Sequence, residues 1–271
     1  MRKTELFALL AAGMVAIYGY LAYQNKLQQA QDIAFDWAIT PKKVGKAPDF
    51  SSIRDVRVKK QRFFDYLRPG IAFENQRVLK ERKKLKHIAA RFDKMALTVA
   101  DKNYLRQLAT RYNVALSAGG VDKRFFEQLL SRVNVIPEAL VLVQAANESA
   151  WGTSRFARKG NNYFGQWCYQ RGCGLVPKQR SDGMSHEVAK FSSVQESIHR
   201  YFMNVNRNGA YKDLREQRRV RQHAGKELHS VTAAMDLADG LLKYSERGSD
   251  YVNDLKVMIR HNEHFWLHKT E

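Results

Sequence analysis

Residues 137–152, PEALVLVQAANESAWG, form an apolar run with one ionisable side chain beyond its first turn, Glu148. Pro137 opens the run at a helix start and Gly152 can close it. A helix this apolar belongs in a core, so the fold has to be built around it. Glu148 sits at its C-terminal end, where the macrodipole is negative and a carboxylate is disfavoured. Ala150, Trp151 and Phe164 follow closely and would add desolvation. Both effects keep the proton on a carboxyl group. A protonated carboxylic acid among aromatic rings is what cleavage of a glycosidic bond needs, because the leaving oxygen must be protonated. A helix-end Glu paired with Arg155 or Arg158 is the other reading of the same residues, and composition leaves both open.

The chain of 271 residues carries a net charge of +19, which points to an anionic partner. Its beginning limits which one. Arg2 and Lys3 precede an uncharged run of 18 residues, Leu6–Tyr23, with Tyr18, Tyr20 and Tyr23 at its outer end. That length just spans a hydrocarbon core, the aromatics suit an interface, and no small-x-small cleavage site precedes Gln24. The expectation is an uncleaved signal-anchor in the inner membrane with the rest of the chain on the extracytoplasmic, periplasmic side; a cleaved signal peptide is the alternative. A translocated basic domain does not meet chromosomal DNA, so nucleic acid is excluded as partner and the anionic cell wall is favoured. Cys168 and Cys173, the only cysteines, can close a short disulfide loop in an oxidising space. Two cysteines are too few for a structural zinc site, and no metal or cofactor is expected.

Four segments follow: 1–25 as anchor, 26–57 as stalk, 58–100 as a helical extension and 101–271 as the main domain. Ile71, Val78, Leu85, Ile88 and Phe92 recur at near-helical spacing after a break at Pro69-Gly70. Asp101 and Asp122 are candidate N-caps. Asp182-Gly183 between runs of strand character reads as a hairpin, and helix resumes from Val194. The fold class is mostly α (α+β).

The stretch QAANESAWGTSRFARKGNNYFGQW resembles the glucosaminidase family, glycoside hydrolase family 73, which cuts peptidoglycan glycan strands. The matching residues are Gln144, Ala145, Glu148, Ser149, Trp151, Gly152, Ser154, Ala157, Asn161, Asn162, Phe164 and Gly165. AKFSSVQESIHRYFMNVNRNGAY and YSERGSDYVNDLKVMI extend the similarity over roughly residues 105–262. The N-terminal part is most similar to the membrane-associated, Bax-like bacterial branch. The resemblance implies a lysozyme-like helical lobe with a small β-hairpin lobe, and an endo-β-N-acetylglucosaminidase, a monomer, with Glu148 as general acid. It implies that Asn162 and Phe164 shape the acceptor side, although Phe164 can equally pack a core. Trp167 is a sugar platform or a cover for the cysteine loop. Asn147, Trp151, Asn161 and Tyr211 complete the substrate-binding set, and Tyr251 aligns with a family Tyr near the catalytic centre.

One departure matters. The family often carries a second carboxylate on the hairpin, and here Gln179 stands near that position. Asp182 and Glu187 are the nearest acids. Either one acts as base or nucleophile, or the substrate's own 2-acetamido oxygen attacks, with Tyr251 orienting it. A lytic transglycosylase using the same Glu and a non-catalytic wall-binding protein are the competing functions.

Overall fold

The computed structural model describes Ile17, Gly19, Tyr20 and residues 41–117, 119–178 and 185–266. The run Leu6–Tyr23 lies almost wholly outside the described residues, as do Gln179, Asp182 and Gly183. Among the described residues, no helix is long and apolar enough to cross a membrane.

Helices α1 (Val56–Asp93), α2 (Val99–Tyr112), α3 (Lys123–Arg132), α4 (Glu138–Ser149) and α5 (Arg155–Gly160) come first. Strands β1 (Trp167–Cys168), β2 (Gly174–Leu175) and β3 (Glu187–Ala189) follow, then α6 (Val194–Arg207), α7 (Lys212–His223), α8 (Val231–Ala238) and α9 (Ser249–His261). The class is mostly helical with a small sheet, in line with the sequence expectation.

Pro69-Gly70 does not break α1, which runs unbroken for 38 residues. An interior proline costs about 3 kcal/mol. Phe63, Phe64, Leu67 and Ile71 flank it and are fully buried, and each such side chain contributes about 1.5–3 kcal/mol. Burial wins over local propensity. Val78, Leu85 and Ile88 continue the buried stripe, and Phe92 packs on Phe126 of α3 with ring centroids 5.1 Å apart. The segment before α1 is tied to the same body. Lys42 N donates to Pro69 O at 3.2 Å and Val44 N to the Gln195 side chain at 3.1 Å. Tyr66 donates its hydroxyl to Gly45 O at 2.7 Å, and Phe50 is buried.

Asp122 caps α3, accepting from Phe125 N at 2.6 Å. For α2 the cap is Thr98 rather than Asp101. Thr98 accepts from the Asp101 N–H and the Asp101 carboxylate accepts from the Thr98 N–H, a reciprocal capping box.

Every residue of α4 from Ala139 to Ala146 is buried, and the helix packs against α1, α8 and α9. The link into it, Val133–Ile136, is buried too, so its carbonyls need donors from the protein. Two arginines supply them. Arg218 of α7, fully buried, donates to the carbonyls of Ser131, Asn134 and Val135. Arg82 of α1 donates to those of Leu130 and Val133.

The sheet has strand order β1-β3-β2, with both neighbours antiparallel to β3. β2 and β3 are the expected hairpin arms; β1, pairing Trp167 with Val188, is a third strand the sequence did not announce. The Cys168–Cys173 disulfide closes the loop that carries the chain from β1 to β2.

Candidate active site

The three residues after α4 all have positive φ: Ala150 at 49°, Trp151 at 58° and Gly152 at 77°. The left-handed region costs a non-glycine residue roughly 1–2 kcal/mol, so two such residues beside Glu148 need compensation. Trp151 N donates to Ala146 O at 2.9 Å and Gly152 N to Ser149 Oγ at 2.8 Å. The Trp151 indole packs edge-on to Phe63 and Phe64, at 5.5 and 5.3 Å, with the Lys60 ammonium 5.1 Å from its ring. At Gly152 a side chain would overlap the buried Phe50 ring. Trp151 therefore anchors the turn to α1 and is turned away from a role as sugar platform.

The left-handed turn sends the chain through α5 into the 161–166 loop. Asn161, itself at φ 50°, donates to Phe191 O at 3.0 Å. Asn162 is buried and donates to Gln166 O and Ala189 O at 2.8 and 2.9 Å. Its carbonyl oxygen accepts from Phe164 N and Gln166 N at 3.3 and 3.1 Å. Both asparagines thus hold backbone, and all four hydrogen-bonding positions of the Asn162 amide are taken. What they position is Gly165, at φ 61°, where an added Cβ would stand 2.9 Å from Glu148 Oε2. Phe164 is buried and stacked on Tyr201 at 4.3 Å, which is the core-packing reading.

Glu148 is half-buried. Burial pushes its carboxyl up from the ordinary carboxylate value, and hydrogen bonds from Tyr251 and Asn147 offset part of that. The Asn147 amide lies 3.3 Å from Glu148 Oε1 and is otherwise exposed. The ion-pair reading fails: Arg155 donates to Val176 O at 2.5 Å, and Arg158 acts on Asp49. Neither a cation nor a second carboxylate among the described residues perturbs Glu148.

Tyrosines surround it instead. Tyr201, Tyr211, Tyr244 and Tyr251 all have hydroxyls held above the ordinary value, by burial first, with one another's and the Glu148 charge adding to it. They stay protonated as donors. Tyr244 stacks parallel on Tyr251 at 5.6 Å and donates to Phe164 O at 2.8 Å. Tyr251 accepts from Gln144 Nε2 at 3.0 Å, and Glu148 is the other group its hydroxyl acts on.

Gln144, Tyr201 and Tyr244 were not nominated as site residues from the sequence. Gln144 had a signal, since it lies four residues before Glu148 on one helix face. The two tyrosines lie in distant segments that extend the family resemblance, and nothing local ties them to Glu148.

The remaining nominated residues lie in the sheet. Trp167 is 48 % exposed and stacks face to face on His186 at 4.0 Å. It keeps surface for a sugar ring. Glu187 is buried, and its two oxygens accept from Gly172 N and Gly174 N at 2.9 and 2.8 Å. It braces the disulfide loop rather than facing Glu148. Cys168, Cys173 and Glu187 have ligand atoms within 4.8 Å of one another, but the oxidised pair offers no thiolate to a metal. Asp182 lies outside the described residues.

Comparison with known proteins agrees with this geometry. The family model described as glucosaminidase, mannosyl-glycoprotein endo-beta-N-acetylglucosaminidase, matches residues 123–264, over half of the chain. Protein bax of Escherichia coli (strain K12) is 33% identical over 221 residues, covering 82% of this chain and 76% of that protein. No solved structure matches. With a half-buried carboxyl at the end of its central helix and these two similarities, the chain belongs to the glucosaminidase family of glycoside hydrolases.

Proposed function

We propose that the protein is an endo-β-N-acetylglucosaminidase of peptidoglycan, with Glu148 as general acid. The observation that carries this is Glu148 itself: burial favours its protonated form, no cation among the described residues neutralises it, and two neutral donors wait for the carboxylate it becomes. Glu148 protonates the leaving glycosidic oxygen, and Tyr251 and Asn147 then hydrogen-bond the resulting anion. Trp167, exposed beside the sheet, stacks on a sugar ring.

For the second half of the reaction we favour attack by the substrate's own 2-acetamido oxygen, with retention. Glu187 supports this reading, since its oxygens are taken by loop amides. A nucleophilic carboxylate would have to stand about 5–5.5 Å from the acid. An inverted anomer would assign the water-activating base to Asp182 instead. The Cys168–Cys173 disulfide supports an oxidising, extracytoplasmic location, with Leu6–Tyr23 as the inner-membrane anchor.

Digestion of purified cell wall followed by mass analysis tests the reading. The expected products carry reducing N-acetylglucosamine ends; anhydro ends would indicate a lytic transglycosylase. Wall binding without soluble fragments would indicate a non-catalytic protein. Glu148→Gln keeps the shape and cannot donate the proton, so turnover should fall about 10²–10⁴-fold. Activity within a few-fold of the parent would remove Glu148 from the mechanism.

A further inference from the structure

We propose that Gln144 and Tyr201 are positioning residues that fix the direction in which Tyr251 points its proton, so that Glu148 always receives it. This rests on Glu148 being the general acid. Gln144 is fully buried in α4, one turn before Glu148, and its amide lies between two tyrosine hydroxyls. The Tyr201 hydroxyl donates to Gln144 Oε1 at 2.5 Å. Gln144 Nε2 donates to the Tyr251 oxygen at 3.0 Å. The Glu148 carboxyl group is the other partner of the Tyr251 hydroxyl.

The order of these bonds matters because a phenol has one proton and an amide has one donating and one accepting end. Tyr201 is fully buried, so its proton needs an acceptor, and it takes Oε1. That leaves the NH₂ end of Gln144 facing Tyr251. An NH₂ group cannot accept, so Tyr251 has one acceptor for its proton, the Glu148 carboxyl group. With the amide reversed, Tyr251 would donate to Gln144 and turn a lone pair toward Glu148. The ionised carboxylate would then lose a donor within its half-buried site.

The relay carries no proton. The single proton transferred goes from Glu148 to the leaving oxygen, and both tyrosines keep theirs. Before transfer, Tyr251 occupies one carboxyl oxygen and leaves the acidic proton on the other for the substrate. After transfer, the same bond stabilises the anion without any reorientation, which is how preorganised donors lower a barrier. The titratable groups facing Glu148 are Tyr251 of α9, Tyr201 of α6, and Tyr211 and Tyr244 from the segments after α6 and α8. The parallel stack of Tyr244 on Tyr251 holds the ring without joining the relay.

The test is the titration of the Glu148 carboxyl in the full chain, read by carbon NMR or infrared difference spectroscopy and needing no substrate. Gln144→Met keeps the volume and removes both amide ends. Gln144→Glu offers two acceptors and reverses the direction. Tyr201→Phe deletes one oxygen and releases the amide to turn. A hydrogen bond to a charged group corresponds to about one pH unit or more. The Glu148 midpoint should therefore move up by about one unit in Tyr201→Phe and in Gln144→Glu, which present Tyr251 with a competing oxygen, and stay close to the parent value in Gln144→Met, which presents none. The alkaline limb of kcat/KM should follow. An unchanged midpoint in a folded Tyr201→Phe protein, or an equal rise in Gln144→Met, overturns the proposal; if the buried Gln144 variants fail to fold, Tyr201→Phe decides it alone. If Glu148→Gln still cleaves wall, the general-acid reading fails separately, while the titration still judges the relay.

Discussion

Gly165→Ala is the sharpest probe of how the site is held. Gly165 has φ 61°, and a Cβ there would stand 2.9 Å from Glu148 Oε2. Ordinary van der Waals contact begins at 3.4 Å, so the carboxyl group or the loop must give by about half an ångström. The loop is the stiffer side. Asn162 fastens it with four hydrogen bonds, and Tyr244 holds Phe164 O at 2.8 Å. The carboxyl group therefore moves, out of register with Tyr251 and Asn147. The backbone cost of a Cβ in the left-handed region is roughly 1–2 kcal/mol, a fall in Tm of about 2–8 °C for a chain of this size. A misplacement of about 1 Å at a reacting group can cost about 100-fold in rate, so the smaller shift here should cost at least about tenfold. The assay is release of soluble fragments from purified wall, per folded molecule, beside a thermal melt. Gly225→Ala is the control, because Gly225 has φ 68° and nothing within 4 Å of its would-be Cβ. It should lose similar stability and no turnover. Wild-type turnover in Gly165→Ala, or equal losses in both variants, would refute the argument that Gly165 is small for the sake of Glu148.

Three further outcomes follow from the packing. Phe50→Ala removes the ring behind Gly152 and should cost about 3–5 kcal/mol by denaturant unfolding, with fragment release per folded molecule falling because the strained turn after Glu148 loses its backing. Burial pushes the Glu74 carboxyl up, but the hydrogen bond from His199 and the Arg77 charge outweigh it and hold it below the usual 4.5. Its contribution is complete above the unfolded value and is lost as pH falls through the lower folded one, so parent and Glu74→Gln should differ in unfolding free energy at about pH 7 and converge as pH falls below the folded value. Replacing Cys168 and Cys173 by Ser should cost about 2 kcal/mol for so short a loop, read by thermal melt, and native protein should show no free thiol before reduction.

What the sequence determined by itself was the chemistry of one helix end. The apolar run 137–152 had to be buried, so Glu148 had to meet low dielectric at a helix C-terminus, and both facts follow from residue types and local spacing. The hairpin arms and the Cys168–Cys173 loop were legible for the same local reason. Long-range packing decided the rest. Pro69 read as a break because propensity is local, whereas the buried rings that keep α1 continuous across it come from the whole core. Asn161, Asn162 and Trp151 read as sugar ligands because their types suit sugars, yet backbone carbonyls and the rings of α1 claim them first. The donors around Glu148 come from α4, α6, α9 and the segment between α8 and α9, brought together over sequence separations of 57 and 107 residues. No local pattern encodes which way an amide between two tyrosines will face. That is decided only when all three are buried together and each proton has one place left to go.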